Sequence, residues 1–298
     1  MVQKIKLIQL LLFCFAFSFV NAQDLVSVNH FGKNMGNLKM FLYTPKNLDT
    51  SKKIPLVLVL HGCTQSAQSI AEATGWKKLA ELNNFIVVYP EQKIVNNVSK
   101  CFNFFIGMKS KKDKGELFSI KQMIDYSLRN YNIDSSQVFI TGVSAGAAMS
   151  NALLNSYPNL FNAAALIGCP SLLTEKLDTL SIYQPRVLII QGEEDKVVAP
   201  TNADRVLNQW TKKHHLKNDD FKLENNYLNF PELTLKTFFD NNQQIQVQSL
   251  SAKDVGHVIL INPGENDNEG GKDCIYTKDI NFHSTYWIAE FFGLIKNK

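Results

Sequence analysis

Ser144 lies in the run Gly142-Val143-Ser144-Ala145-Gly146, a G-x-S-x-G pattern suited to a serine nucleophile. A strand that turns sharply into a helix strains the dihedrals of the central serine and brings neighbouring backbones close. Gly142 and Gly146 lack the Cβ atoms that such a turn would crowd. The serine then stands at the positive end of the following helix, where developing negative charge is favoured. A hydroxyl attacks poorly unless a base takes its proton and an acid orients that base. For this pattern the chain order is serine, acid, histidine. Of six histidines, His30 and His61 come too early, His214 and His215 fall in a polar stretch and read as solvated, and His283 enters the last helix. That leaves His257, in Asp254-Val255-Gly256-His257, as the expected general base. Glu193, Glu194 and Asp195 all follow an expected strand closely enough to be the acid, and position does not choose between them. Asp254 is too near His257 in sequence to be preferred.

The tetrahedral intermediate of acyl transfer also needs two fixed N–H donors for its oxyanion. Ala145, directly after the serine, is expected to supply one. The other is expected from His61-Gly62-Cys63-Thr64, with Cys63 first and Thr64 second.

These residues need a scaffold, and the chain alternates apolar strand-like runs with amphipathic stretches. That alternation indicates an α/β fold with a mostly parallel central sheet flanked by helices, and the serine pattern makes it an α/β-hydrolase fold. Strands are expected over 25–28, 38–43, 54–60, 85–89, 138–141, 163–167, 186–190, 233–239 and 245–250. Helices are expected over 67–82, 116–131, 145–156, 202–212 and 281–294, the last burying Trp287, Phe291 and Phe292. Residues 214–230 are polar, carry mixed charge and read as an insertion or flap.

The first 22 residues read as a secretory signal peptide: Lys4 and Lys6 precede an apolar run over 7–20, and Val20-Asn21-Ala22 offers a cleavage site. Residues 23–298 then form a single catalytic domain, secreted or periplasmic. Cleavage lowers the formal charge from +4 to +2. Near-neutrality argues against nucleic acid as partner, and the lysine-rich run 108–112 reads as a solvated loop. No later apolar run is long enough to span a membrane, so no membrane association is expected after cleavage. Cys63, Cys101, Cys169 and Cys274 remain after cleavage, and an even count in an oxidising compartment suggests two disulfides. Their spacing does not suit a zinc site. No metal or cofactor is expected: Gly270-Gly271 lacks the surroundings of a phosphate-binding loop.

Several ordered motifs are then recognisable: His61-Gly62-Cys63-Thr64-Gln65, Thr74-Gly75-Trp76, Tyr89-Pro90-Glu91-Gln92, Cys101-Phe102-Asn103-Phe104-Phe105, Gly115-Glu116, Gln209-Trp210-Thr211 and Phe291-Phe292-Gly293-Leu294. Over residues 38–294 the chain resembles the short-chain polyhydroxyalkanoate depolymerase family of secreted esterases, to which feruloyl and acetylxylan esterases are similar. The resemblance implies a serine ester hydrolase with Ser144, Asp195 and His257 as its triad. It implies a Cys63–Cys101 disulfide, which leaves Cys169 with Cys274, and a substrate-facing stretch with Phe102, Asn103 and Phe104. The implied substrate is a hydroxyalkanoate oligomer or polyester, or a feruloyl or acetyl ester of plant polysaccharide. The chain departs from the family pattern in three places. Gln191 stands for its usual histidine, Phe102 and Phe104 for its tryptophans, and Val258-Ile259-Leu260-Ile261 for the Ala-Trp-Pro-Gly that follows the catalytic histidine. A serine peptidase or a catalytically inactive binding protein on the same fold are the alternatives.

Overall fold

The computed structural model describes residues 25–104, 112–171 and 183–295. The expected signal peptide, Phe105 and residues 108–111 of the lysine-rich run lie outside the described residues.

Strands β1 (Val26–Val28), β2 (Lys39–Tyr43), β3 (Ile54–Leu60), β4 (Ile86–Glu91), β5 (Ile133–Val143), β6 (Ala163–Ile167), β7 (Arg186–Gly192), β8 (Lys222–Asn225), β9 (Leu233–Phe239) and β10 (Ile245–Ala252) form one sheet among the described residues. Its order is β1-β2-β4-β3-β5-β6-β7-β10-β9-β8. The centre, from β4 to β10, is parallel, and both margins are antiparallel. Strands β3 and β6 and the second half of β5 are apolar and almost wholly buried, because both faces of the sheet are covered there. In β3, Leu56, Leu58 and Leu60 pack on one face with helices α3 (Gly115–Asn130), α4 (Ala145–Ser156) and α5 (Thr201–Lys213). Val57 and Val59 point to the other face, as the two-residue period of a strand requires. There α1 (Ala67–Thr74), α2 (Trp76–Asn83) and α6 (Ser284–Phe292) complete the second layer. Phe292 lies at its centre, stacked on Phe139 at 4.8 Å and on Trp76 at 6.2 Å.

The single helix expected over 67–82 is two helices. Gly75 takes φ 75°, and a Cβ there would stand 2.8 Å from Gly271 N, so the chain turns where an ordinary residue would not fit. The last helix begins at Ser284 rather than 281, because Asn281 takes a left-handed φ of 59° and His283 is extended ahead of it. Residues 214–230 are no flap: they hold β8, which extends the sheet beyond β9, and a 3-10 turn. In that turn Tyr227 Oη accepts from Trp287 Nε1 at 2.9 Å. A two-stranded parallel ladder of β11 (Ile259–Ile261) and β12 (Thr277–Asp279), not expected from the sequence, follows His257. No helix among the described residues is long and apolar enough to cross a membrane.

Candidate active site

Strand β5 runs into α4 at Ser144, whose φ of 56° and ψ of −122° are strained for a residue with a side chain. The turn is as tight as the glycines suggest. A Cβ on Gly142 would sit 2.4 Å from the Gly146 carbonyl, and one on Gly146 would sit 2.4 Å from Leu60 O. Ser144 N donates to Ile167 O at 2.9 Å, which ties the turn to the end of β6.

The next residue, Gly168, has φ 55°, and a Cβ there would lie 2.9 Å from His257 Cε1. The imidazole therefore rests against the backbone beside the serine turn, in space that only glycine leaves open. His257 Nδ1 donates to Asp195 Oδ2 at 2.6 Å. The carboxylate can only accept, so Nδ1 carries the proton and Nε2 is left as the acceptor. Asp195 Oδ1 accepts from the N–H groups of Val197 and Val198 at 2.9 and 2.8 Å. Gln191 Nε2 donates to Oδ2 at 3.0 Å. Burial alone would raise the Asp195 pKa. The Val198 and Val197 amides and the imidazole outweigh it and hold the group below its ordinary value. Glu193, Glu194 and Asp254 are exposed, so among the four carboxylates Asp195 is the buried one.

The loop after β3 is built from fixed peptides. His61 is buried, and its Nε2 accepts from Gln92 N at 3.0 Å, so its Nδ1 donates to Gly62 O at 2.6 Å. Burial is the largest cause pushing the His61 pKa down to about 4, which keeps the ring neutral near pH 7. Gly62 lies beside the serine, since a Cβ there would stand 3.5 Å from Ser144 Cβ. Thr64 N is committed to Ser99 O at 2.6 Å, which disfavours it as an oxyanion donor. Cys63 N and Ala145 N make no hydrogen bond among the described residues; Ala145 is at the first helical position, where the N–H has no partner within the helix.

Cys63 and Cys101 form a disulfide. The segment after Cys101 corrects two expectations. Phe102 is fully buried with its ring centroid 4.8 Å from that of His61, so it supports the loop from beneath rather than facing substrate. Asn103 is buried too: its N and Nδ2 donate to Glu116 at 2.8 and 2.6 Å. Gln92 Nε2 donates to the same carboxylate at 2.7 Å. Glu116 thus anchors the segment, a role that only contacts across the fold reveal. Phe104 is partly buried against the core. The expected Cys169–Cys274 disulfide is absent. Cys169 is buried in the layer of α3, α4 and α5. Cys274 is exposed beside β12, whose partner β11 packs in the opposite layer. One side chain is enclosed in the core and the other faces solvent.

His214 is not solvated: Nε2 bonds Pro185 O at 2.9 Å. His283 is buried, with Nε2 bonded to Thr74 O at 2.9 Å. No group of three or more His, Cys, Asp or Glu among the described residues is placed to hold a metal ion.

Comparison with known proteins places these features among esterases. Residues 38–182 match the family model described as Esterase PHB depolymerase. The chain is 34% identical to poly(3-hydroxyalkanoate) depolymerase C of Paucimonas lemoignei, over 91% of this chain and 70% of that one. It is 28% identical to feruloyl esterase B of Thermothelomyces thermophilus, over 81% of this chain and 90% of that one. An acetyl xylan esterase from Aspergillus awamori has the same fold, with a TM-score of 0.74, 23% identity and coverage of 92% of this chain and all of that one.

Proposed function

Because the chain belongs to the esterase PHB depolymerase family of carboxylic ester hydrolases, we propose that it cleaves its ester through an acyl-enzyme on Ser144, with His257 as base and Asp195 as the acid that orients it. The observation carrying this reading is the Asp195–His257 hydrogen bond, set against Gly168 and hence beside the carbonyl that accepts from Ser144 N. Ser144 Oγ attacks the ester carbonyl carbon as its proton passes to His257 Nε2. The carbonyl oxygen becomes an oxyanion held by the N–H groups of Ala145 and Cys63. Collapse breaks the ester C–O bond, and the leaving alcohol takes the proton from His257. Water then attacks the acyl group, giving its proton to the same nitrogen, and the acid departs as Ser144 is restored.

The substrate is a hydroxyalkanoate oligomer or polyester, or a feruloyl or acetyl ester of polysaccharide. The likeness to the depolymerase supports the first. The likeness to the feruloyl esterase supports the second, and Ile259 in place of the family pattern's substrate-stacking tryptophan weighs against a polymer preference. The enzyme works outside the cytoplasm, secreted or periplasmic, as the apolar N-terminal run and the Cys63–Cys101 disulfide suggest.

The test compares wild type with Ser144→Ala on methyl ferulate, acetylated xylan and hydroxybutyrate oligomers. Wild type should cleave one of these classes, and kcat should fall by about 10⁴-fold or more in the variant. A variant retaining a tenth of the activity rules the mechanism out. Faster cleavage of peptide amides than of p-nitrophenyl acetate makes the chain a peptidase, and no turnover of any ester makes it a binding protein.

A further inference from the structure

We propose that Tyr276 is a positioning residue of this site: its phenol braces the oxyanion loop against the His257 loop and so helps fix Cys63 N–H. The proposal rests on the acyl-enzyme reading above.

Tyr276 is anchored first to the histidine side. Ile259 N, two residues past His257, donates to Tyr276 O at 2.9 Å. Strand β12, which starts at the next residue, pairs with the wholly buried β11. Lys278 Nζ also reaches back to Asp254 O at 2.6 Å, on the other side of His257. The backbone of Tyr276 therefore moves with the loop that carries the imidazole.

Its side chain reaches the opposite wall. Tyr276 Oη lies 2.5 Å from Thr64 Oγ1, and Thr64 Oγ1 donates to Cys63 O at 2.6 Å. The direction of the first bond follows by counting hydrogens. Cys63 O can only accept, so it takes the single hydroxyl hydrogen of Thr64, and Tyr276 must be the donor to Thr64. Thr64 needs such restraint, because φ of 65° is costly for a β-branched residue. The constraints then converge on Cys63. Its sulfur is fixed by the disulfide, the peptide before it by His61 Nδ1 on Gly62 O, and its carbonyl by Thr64 and, through Thr64, by Tyr276. Its N–H is the group left for the oxyanion.

The test measures Tyr276→Phe, Thr64→Val, the double variant and Thr64→Ser on p-nitrophenyl acetate, with inhibition by a boronic acid that mimics the tetrahedral state. Tyr276→Phe keeps the ring and the backbone bond. It should lower kcat about 3- to 10-fold, the worth of one hydrogen bond, weaken boronic acid binding by a similar factor and leave KM within about twofold. Thr64→Val should do the same, and the double variant should be no worse than either single one, because both break one chain. Thr64→Ser should keep the wild-type rate. Unchanged kcat in Tyr276→Phe, multiplicative losses, or a Thr64→Ser as slow as Thr64→Val overturns the proposal. If Tyr276→Phe does not fold, the Thr64→Val and Thr64→Ser pair decides. An active Ser144→Ala fails the acyl-enzyme reading instead, whereas an inactive one beside an unaffected Tyr276→Phe fails the brace alone.

Discussion

Asp195 accepts four hydrogen bonds on its two oxygens, from Val197 N, Val198 N, His257 Nδ1 and Gln191 Nε2. Three of these donors belong to the backbone or to the imidazole it serves. Gln191 is the fourth, standing where the family pattern has a histidine. Its amide orientation is fixed by three acceptors around Nε2: Asp195 Oδ2, Gly192 O and Val198 O. A glutamine supplies a donor without adding a group that titrates near neutrality. Gln191→Leu keeps a similar volume but removes that donor, so kcat on p-nitrophenyl acetate should fall about 3- to 10-fold with KM unchanged. An unchanged kcat in steady-state kinetics shows that the two backbone amides suffice to hold the carboxylate.

At the scale of elements, the loops after β3 and β4 act as one unit. The disulfide joins them covalently, Thr64 N bonds Ser99 O, and Glu116 at the start of α3 holds Asn103 and Gln92 from below. The cross-link spans 38 residues; for a loop of that length the chain-entropy model gives about 4 kcal/mol of stabilisation. Cys101→Ser should therefore lower Tm by about 10 °C, and kcat should fall as the Cys63 peptide gains freedom. Thermal unfolding with and without reductant checks this: wild type in reductant should match the variant. If Tm does not move, the Glu116 network holds the loops without the cross-link.

Across the whole molecule, stability should depend on pH through two buried imidazoles. Burial is the main cause pushing both His61 and His283 down to about 4. Near pH 7 both are neutral in either state and contribute no pH dependence. Below about 6.5 the unfolded chain takes up protons at these positions and the folded one does not, so stability falls with pH until the folded groups titrate near 4. Each shift corresponds to at most about 3 kcal/mol at the acid end. Asp195 and Glu91, both held below the ordinary carboxylate range, add a further loss of the same sign at lower pH. Urea unfolding from pH 7 to pH 4.5 should show a midpoint that declines steadily below pH 6.5. A midpoint constant to pH 5 removes the buried imidazoles as its cause.

The sequence by itself determined whatever depends on near neighbours along the chain. The strand at 54–60, the helix at 145–156 and the strand at 163–167 lie where the patterning places them, because strand and helix periods need only a few consecutive residues to show. The glycines around Ser144 carry the tight turn in the same way. Only the tertiary structure decided questions of partnership across the fold. It bonded Asp195, which the family resemblance implied but spacing could not choose over Glu193 or Glu194, to His257, and it spent Thr64 N on Ser99 O. It buried Phe102 against His61, and left Cys169 buried and Cys274 exposed, neither of them in a disulfide. It also brought Tyr276 to Thr64 across 212 residues. Spacing along the chain cannot encode such contacts, because which loops meet depends on the order of the strands beneath them.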